Sequence, residues 1–381
     1  MLSWVAVGLL GTAAGALIAL QAVVTLATAL LAGPWADRLE HGRLMIAADL
    51  ARAAVLLILA AVWLAQGAAT VWSLVATILT LAAGQALFRP ALQATLPALV
   101  SRTEFLPATN ALLDTTERIA RLFGPGLIGL ASTWLPLVHF VTFDAATFAA
   151  SALAILAITC LRPTTRQADI TRAPLLRGFT ALRRHKLLGF MLTVTGVING
   201  AWHAAFFLGL PLMLTQTTNL PLPGLAAYGF VISAYGSTNL LSTLVVGSLP
   251  LPRNPARRIF AGNGVLGAGT VLLGLAAYTP WPLQACLAAA AIAAIGGPMH
   301  DITMATLRQT ELASADMAAA VRAFMVMNQL GLLAVLLASP IVFNAIGTPP
   351  AIMLSGVAVF GVSILGMIKQ GQGSALDPPK A

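Results

Sequence analysis

Residues Leu187 to Gly247 read LLGFMLTVTGVINGAWHAAFFLGLPLMLTQTTNLPLPGLAAYGFVISAYGSTNLLSTLVVG, without a single Asp, Glu, Lys or Arg. Two apolar runs, 187–215 and 223–248, flank a turn-forming stretch that begins at Thr217 and holds Pro221, Pro223 and Gly224. Uncharged apolar runs of about 18 residues or more read as membrane-spanning helices. Hydrocarbon cannot satisfy backbone polar groups, so only helices or closed barrels cross it. These runs are continuous rather than alternating, which excludes barrels and predicts an all-α membrane protein.

The rest of the chain reads the same way. Of its 381 residues 59% are hydrophobic and 9% charged, against roughly 25% charged in soluble domains. Full spans are predicted at about 12–35, 44–65, 70–88, 109–132, 137–161, 187–215, 223–248, 256–278, 282–306, 318–345 and 349–369, eleven in all. Residues 1–10 read as a fragment of one more. The 36 residues Met1 to Ala36 carry no charge. As one helix they would run about 54 Å, against about 30 Å of hydrocarbon. Gly8, Gly11 and Gly15 offer a break. The start, MLSWVAVGLL, has no basic leader region of the kind a cleaved signal carries.

The basic residues fix an orientation. Arg38, Arg43, Arg89, Arg102, the cluster Arg162 to Lys186, Arg253, Arg257, Arg258, Arg308 and Lys369 fall on one alternate set of connections. The other set, at Gln66–Thr70, Ser132–Pro136, Thr217–Gly224, Tyr278–Leu283 and Gly347–Pro350, holds none. Positive loops stay cytoplasmic, so the C-terminus is placed in the cytoplasm. The same asymmetry accounts for the net charge of +9 and removes the case for nucleic acid. It also puts Cys160 and Cys286 near opposite faces, too far apart for a disulfide. The long basic connection divides the chain. An N-terminal bundle spans 1–161, a cytoplasmic linker 162–186, a six-helix C-terminal bundle 187–369, and a tail 370–381.

The first cytoplasmic turn reads Gly33-Pro-Trp-Ala-Asp37-Arg38-Leu-Glu-His-Gly42-Arg43. A glycine lets two helices approach closely. An aspartate at a helix end can sit against the N-terminus of another helix, where the dipole favours an anion. This stretch resembles the signature of the major facilitator superfamily, and it falls at the expected turn on the expected side. Ile46-Ala-Ala-Asp49-Leu-Ala-Arg52, Phe88-Arg-Pro90-Ala91 through Leu96-Pro97 with Asn110-Ala111, and Leu307-Arg-Gln309 through Arg322 and Asn328 narrow the similarity to the drug, macrolide and siderophore export branch. The resemblance implies two pseudo-symmetric helix bundles, here lacking most of the first transmembrane helix. It makes Gly33, Asp37, Arg38, Gly42 and Arg43 a conformational latch. The alternative reading of that stretch is an ordinary charged turn.

Asp114, Glu117, Arg118 and Arg121 fall at i, i+3, i+4 and i+7 and share one helix face, where Asp114–Arg118 and Glu117–Arg121 can pair. Ionisable residues in membrane helices face a cavity or a partner, so these four are candidates for coupling protons or substrate charge. A structural pairing near the interface is the other reading. Asp144 is a further coupling candidate, or a residue that binds a neighbouring helix. Gly124, Pro125 and Gly129 partly match a motif that resembles the family's antiporter signature, and they permit a helix bend; simple helix packing is the rival. Asn199, Trp202 and His203 lie within five residues near mid-membrane, suited to an aromatic or cationic substrate. Tyr235, Asn239, Asn328 and Gln329 are weaker cavity candidates. His300 and Asp301 stand at the inner end of their helix. Gly262-Asn-Gly264-Val-Leu-Gly267 fits the dinucleotide pattern but follows no strand, so it reads as helix packing.

The expected function is secondary active transport, with proton-coupled efflux of amphipathic small molecules of drug, macrolide or siderophore type by alternating access across a bacterial inner membrane. The expected partners are a small-molecule substrate, protons and the lipid bilayer, with the chain acting as a monomer. No cofactor, metal or catalytic constellation is expected. Two alternatives stay open at this point: a solute uptake permease, and a non-transporting scaffold.

Overall fold

In this computed structural model, the structure describes residues 1–28, 40–99, 116, 119–120, 123–161, 175–217, 220–312 and 314–374. Every regular element among them is helical. Helix α1 (Leu2–Leu10) meets α2 (Ala14–Ala27) through a 3₁₀ turn at Gly11–Ala13. Gly11 adopts φ 55° there, a conformation that a side chain disfavours and glycine tolerates. The break anticipated among the N-terminal glycines therefore falls at Gly11. The two pieces nevertheless form one 26-residue candidate span, Leu2–Ala27, rather than a fragment followed by a separate span. At 1.5 Å per residue that is about 39 Å, which a tilted crossing accommodates.

Helix α3 (His41–Gln66) ends at Gly67 in the left-handed conformation. It is followed by α4 (Val71–Leu99), by helical residues 123–131 (α5), and by α6 (Leu137–Leu161). Helix α3 packs on both α4 and α6, and α1 and α2 lie on α4. Beyond the linker come α7 (Leu175–Arg184), α8 (Lys186–His203), a π-helical turn (Ala204–Gly209) and α9 (Leu210–Gln216). The chain closes with α10 (Gly224–Ser248), α11 (Pro255–Leu275), α12 (Pro282–Glu311), α13 (Ser314–Ile346) and α14 (Thr348–Ser374). Ten stretches among the described residues are long and apolar enough to cross a membrane. They match the predicted spans in order; the predicted span at 109–132 is not among them and lies partly outside the described residues. Large side chains such as Leu64, Phe143 and Leu241 are more than 60% exposed, a surface suited to lipid rather than water.

Two compact units arise from these contacts: Met1–Ala120 with Ala131–Thr171, and Arg121–Leu130 with Arg172–Ala381. Lipid tails are as apolar as leucine, so helices in membranes associate through small residues that admit close approach. The second unit shows this repeatedly. A Cβ on Gly196 (α8) would lie 2.4 Å from Gly331 Cα (α13). The dinucleotide-like glycines serve the same end within α11: a Cβ on Gly262 would lie 2.6 Å from the Gly296 carbonyl of α12, and one on Gly267 2.6 Å from the Phe360 nitrogen of α14. Helix α11 is thus held between α12 and α14. Helix α7 rests on α13, where Arg177 Nε donates to Asp316.

The Gly196–Gly331 crossing yields a direct test. A Cβ at either position must push two backbones apart, and overpacking of this kind costs about 1–3 kcal/mol. Gly196→Val is expected to lower the unfolding temperature of the detergent-purified protein by several degrees, followed by fluorescence-detected gel filtration. Gly361→Ala, where a Cβ meets nothing within 4 Å, is the control expected to leave it unchanged.

Candidate functional site

In the second unit, one wall of aromatic and polar groups forms where α8 meets α10. The Trp202 ring lies 5.8 Å from that of Tyr235, 4.8 Å from His203 and 5.2 Å from Phe207. Phe206 meets Tyr235 edge-on at 5.0 Å. His203 Nδ1 donates to the Asn199 carbonyl at 2.8 Å. A carbonyl can only accept, so Nδ1 carries a proton, and in the neutral ring Nε2 is an acceptor. Asn199 Nδ2 donates in turn to the Thr195 carbonyl. The indole N–H of Trp202 is buried and makes no hydrogen bond of normal geometry, although the Tyr235 hydroxyl is close enough to act on it.

Prolines explain why the wall stands there. Pro211 has no N–H to give to the carbonyl four residues back. The chain before it widens into the π turn Ala204–Gly209, directly after Trp202 and His203. Pro298 sits inside α12 and cannot serve the Ala294 carbonyl. Asn239 Nδ2 donates to that oxygen at 3.3 Å, and Ser242 Oγ to the neighbouring Ile295 carbonyl at 2.9 Å. Asn239, expected to line the cavity, is therefore also a tie between α10 and α12. Pro340 does the same in α13, where Ser339 Oγ donates to the Leu336 carbonyl at 2.8 Å.

Helix α12 adds charge beside this wall. A Cβ on Gly297 would lie 3.8 Å from the Tyr235 hydroxyl, so α12 runs close to it. One turn on, Asp301 is exposed and its charge acts on Tyr235, His300 and Arg308. The Arg308 guanidinium lies over the Phe324 ring at 4.8 Å. His300 is buried and bonds Asn263 Oδ1 of α11 at 2.8 Å, leaving Asn263 Nδ2 and Thr303 Oγ1 without partners. His300 and Asp301, adjacent in sequence, thus have different surroundings: one is buried and ties two helices, the other is exposed. Asn328 and Gln329 are half-buried on α13, and Asn328 Oδ1 makes no hydrogen bond.

The first unit holds an ion pair inside the membrane span. Arg52 Nη1 bonds Asp49 Oδ1 at 3.1 Å, with the two side chains 4% and 1% exposed. The guanidinium is flanked by the Phe88 and Phe148 rings at 5.0 and 5.2 Å. Gly84 makes the space, since a Cβ there would sit 2.4 Å from Arg52 Nε. Asp49 Oδ2, Arg52 Nε and Arg52 Nη2 make no hydrogen bond of normal geometry, although the Ser151 hydroxyl is close enough to act on the Asp49 carboxylate. In the sequence alone these two residues carry a family resemblance and do not stand out as a site. Their i, i+3 spacing inside an apolar run was the available signal.

The other predicted residues divide. Gly33, Asp37 and Arg38 of the latch, and Asp114, Glu117, Arg118 and Arg121, lie outside the described residues. Gly42 is buried at the start of α3, and Arg43 pairs with Glu40 at 2.8 Å in an exposed bridge. Asp144 is half-buried, and its carbonyl accepts from the Thr147 hydroxyl. Gly124 meets nothing within 4 Å, whereas Gly129 lies against α10: a Cβ there would be 3.1 Å from Ala226 Cα. Gly229 of α10 meets the Pro125 carbonyl in the same crossing. The bend motif is thus a close-packing site, which is compatible with either of its readings.

Ten apolar spans among the described residues, with polar groups gathered at membrane depth, define a multi-pass membrane protein. A family model described as Major Facilitator Superfamily matches residues 2–336, and the chain belongs to that superfamily. It is a secondary transporter. Comparison with curated proteins gives no match. Among solved structures, a mutant of the peptide transporter POT superposes with a TM-score of 0.75 at 11% identity, covering 97% of this chain and 91% of that one. A POT family transporter in complex with a thioalcohol-conjugated peptide gives 0.68 at 12%, covering 95% and 88%. An inward-facing bacterial homologue of the iron transporter ferroportin gives 0.64 at 14%, covering 95% and 94%. Identities this low carry the fold alone.

The buried pair is tested by a double-mutant cycle. Arg52→Leu leaves Asp49 as an uncompensated buried charge and is expected to destabilise by about 3–5 kcal/mol. Arg52→Leu with Asp49→Leu is expected to recover most of that loss. Thermal unfolding of the four proteins in one detergent measures it, and additive losses would show that the pair is not coupled.

Proposed function

We propose that this transporter exports amphipathic, aromatic or cationic small molecules from the bacterial cytoplasm in exchange for protons. On this reading it works as a monomer in the inner membrane, by alternating access. The observation that carries the substrate class is the wall of Trp202, His203, Phe206, Phe207 and Tyr235 beside the exposed carboxylate of Asp301. Aromatic faces attract cations, by about 0.5–2 kcal/mol each according to desolvation, and a carboxylate alongside adds net charge of the matching sign. An apolar cavity with a few polar groups fits many amphiphiles.

Coupling is assigned to intramembrane carboxylates, with Glu117 first and Asp144 second, while Asp37 and its neighbours form the latch that biases which side is open. The Asp49–Arg52 pair supports a charge-coupled cycle, because ionisable groups in a span are retained for function more often than for stability. Export is favoured over uptake by the partial antiporter motif at Gly124, Pro125 and Gly129. On this reading the C-terminus lies in the cytoplasm, which the positive-inside rule supports.

Inside-out vesicles acidified by respiration test the whole reading. Amphipathic drugs and siderophores are added in turn, and internal pH is followed by fluorescence. Substrate-dependent proton release is expected for the parent protein and is lost in Asp37→Asn. Trp202→Ala is expected to raise the half-saturating concentration about thirtyfold, the size of one desolvated cation–π contact of about 2 kcal/mol. Unchanged proton-driven transport in Glu117→Gln removes Glu117 as the carrier. Unchanged affinity in Trp202→Ala removes the aromatic wall as the binding site.

A further inference from the structure

A groove of about 400 Å³ runs along the outside of the second unit between α10 and α12. Its lining is almost wholly apolar: Leu241, Val245, Val246 and Leu249 from α10 and its end, Ile295 and Met299 from α12. Leu241 and Val245 are 63% and 60% exposed. The hydroxyl of Ser242, also in the lining, is already given to the Ile295 carbonyl. The groove therefore offers a ligand contact area but little hydrogen bonding along its length.

One end is different. Arg258, near the start of α11, lines the groove there, and its Nη2 donates to the Pro250 carbonyl at 2.9 Å. Arg253 and Arg257 are exposed beside it. Asn254 caps the helix by accepting from the Arg257 N–H. No Asp or Glu occurs anywhere from Leu187 to His300, and none of the three arginines takes part in an ion pair among the described residues. Three cations at a helix N-terminus, whose dipole is also positive, stand beside an apolar trough with no anion of their own.

Length decides what fits. Thr238 to Leu249 covers eleven residues of rise, or about 16 Å. That is half of the roughly 30 Å hydrocarbon layer, the depth of one leaflet. A partner's transmembrane helix would need a seam of the full depth. An acyl chain anchored at the headgroup level needs one leaflet and a cation at its end.

We propose that this groove binds an anionic phospholipid, with an acyl chain lying along Leu241, Val245 and Leu249 against Ile295 and Met299, and the phosphate held by Arg258 with Arg253 and Arg257. The site is independent of the transported substrate. It takes lipid from the leaflet that the basic loops contact, where anionic headgroups attract juxtamembrane arginines.

Native mass spectrometry of the full chain tests it, with phosphatidylglycerol or phosphatidylcholine of equal chain length titrated into the same detergent. Phosphatidylglycerol is expected to bind at least tenfold tighter. Arg257→Gln with Arg258→Gln is expected to erase that preference, at about fivefold per arginine. Val245→Trp, which fills the trough and keeps every charge, is expected to abolish the adduct. Leu244→Trp, on an exposed position outside the lining, is expected to leave it intact. Equal retention of the two lipids overturns the proposal, as does an adduct that survives Val245→Trp. Glycerol phosphate binding as tightly as the lipid overturns the acyl-chain part and leaves a plain phosphate site. A shift to dimer mass that Val245→Trp disrupts assigns the groove to a second copy instead.

Discussion

A backbone carbonyl inside hydrocarbon must find a donor within the protein. That constraint makes the chain helical, and it also governs what happens wherever a helix is interrupted. Pro298 withdraws a donor from Ala294, and Asn239 supplies one from another helix. Pro340 withdraws one from Leu336, and Ser339 supplies it locally. Pro211 is preceded by a π turn. Each repair places a polar side chain or an altered helical register at membrane depth, where unfixed polarity would be costly. The aromatic wall at Trp202 and Tyr235 stands among these repairs. Its position follows from backbone accounting before any substrate is considered.

The second constraint is the weak drive for helix association in lipid. Hydrophobic burial contributes little there, so close approach between small residues sets the packing. Gly196 with Gly331, and Gly262 with Gly296, bring backbones together and leave little freedom for the helices that carry the polar groups. Gly297 and Gly84 act differently. They leave room beside themselves, one for the Tyr235 hydroxyl and Asn239 amide, the other for the Arg52 guanidinium. A glycine in this fold can thus close a crossing or open a niche, and its sequence context does not separate the two.

The spans and their order were legible because apolar length is a local property of the sequence. So was the packing role of Gly262, Gly264 and Gly267, since a nucleotide loop needs a strand that the sequence did not contain. The joining of residues 2–10 and 14–27 into one span was not legible, because it depends on the angle adopted at Gly11. Trp202 and Tyr235 are both legible as candidates, but their pairing across 33 residues rests on a ring contact between α8 and α10 that no local pattern shows. Asp49 and Arg52 show the limit from the other side. Their spacing was visible, but their burial depends on Gly84, Phe88 and Phe148, which belong to two other helices.

The two units carry their membrane charges in contrasting states. In the first, Asp49 and Arg52 are both withdrawn from solvent and share one hydrogen bond. Neutralising Asp49 there would strand the guanidinium, a penalty of several kcal/mol unless another anion or water reached Arg52 Nε and Nη2 at the same moment. In the second, Asp301 is exposed, and Arg308 seven residues on is already engaged with an aromatic ring. Asp301 can therefore meet an organic cation without breaking a buried ion pair of the kind that Asp49 makes. A buried pair responds to a change in its surroundings, whereas an exposed carboxylate beside aromatic rings responds to the ligand itself. Under the proposed function, Asp301 is the group that meets substrate, and the Asp49–Arg52 pair the one that registers a change in helix packing.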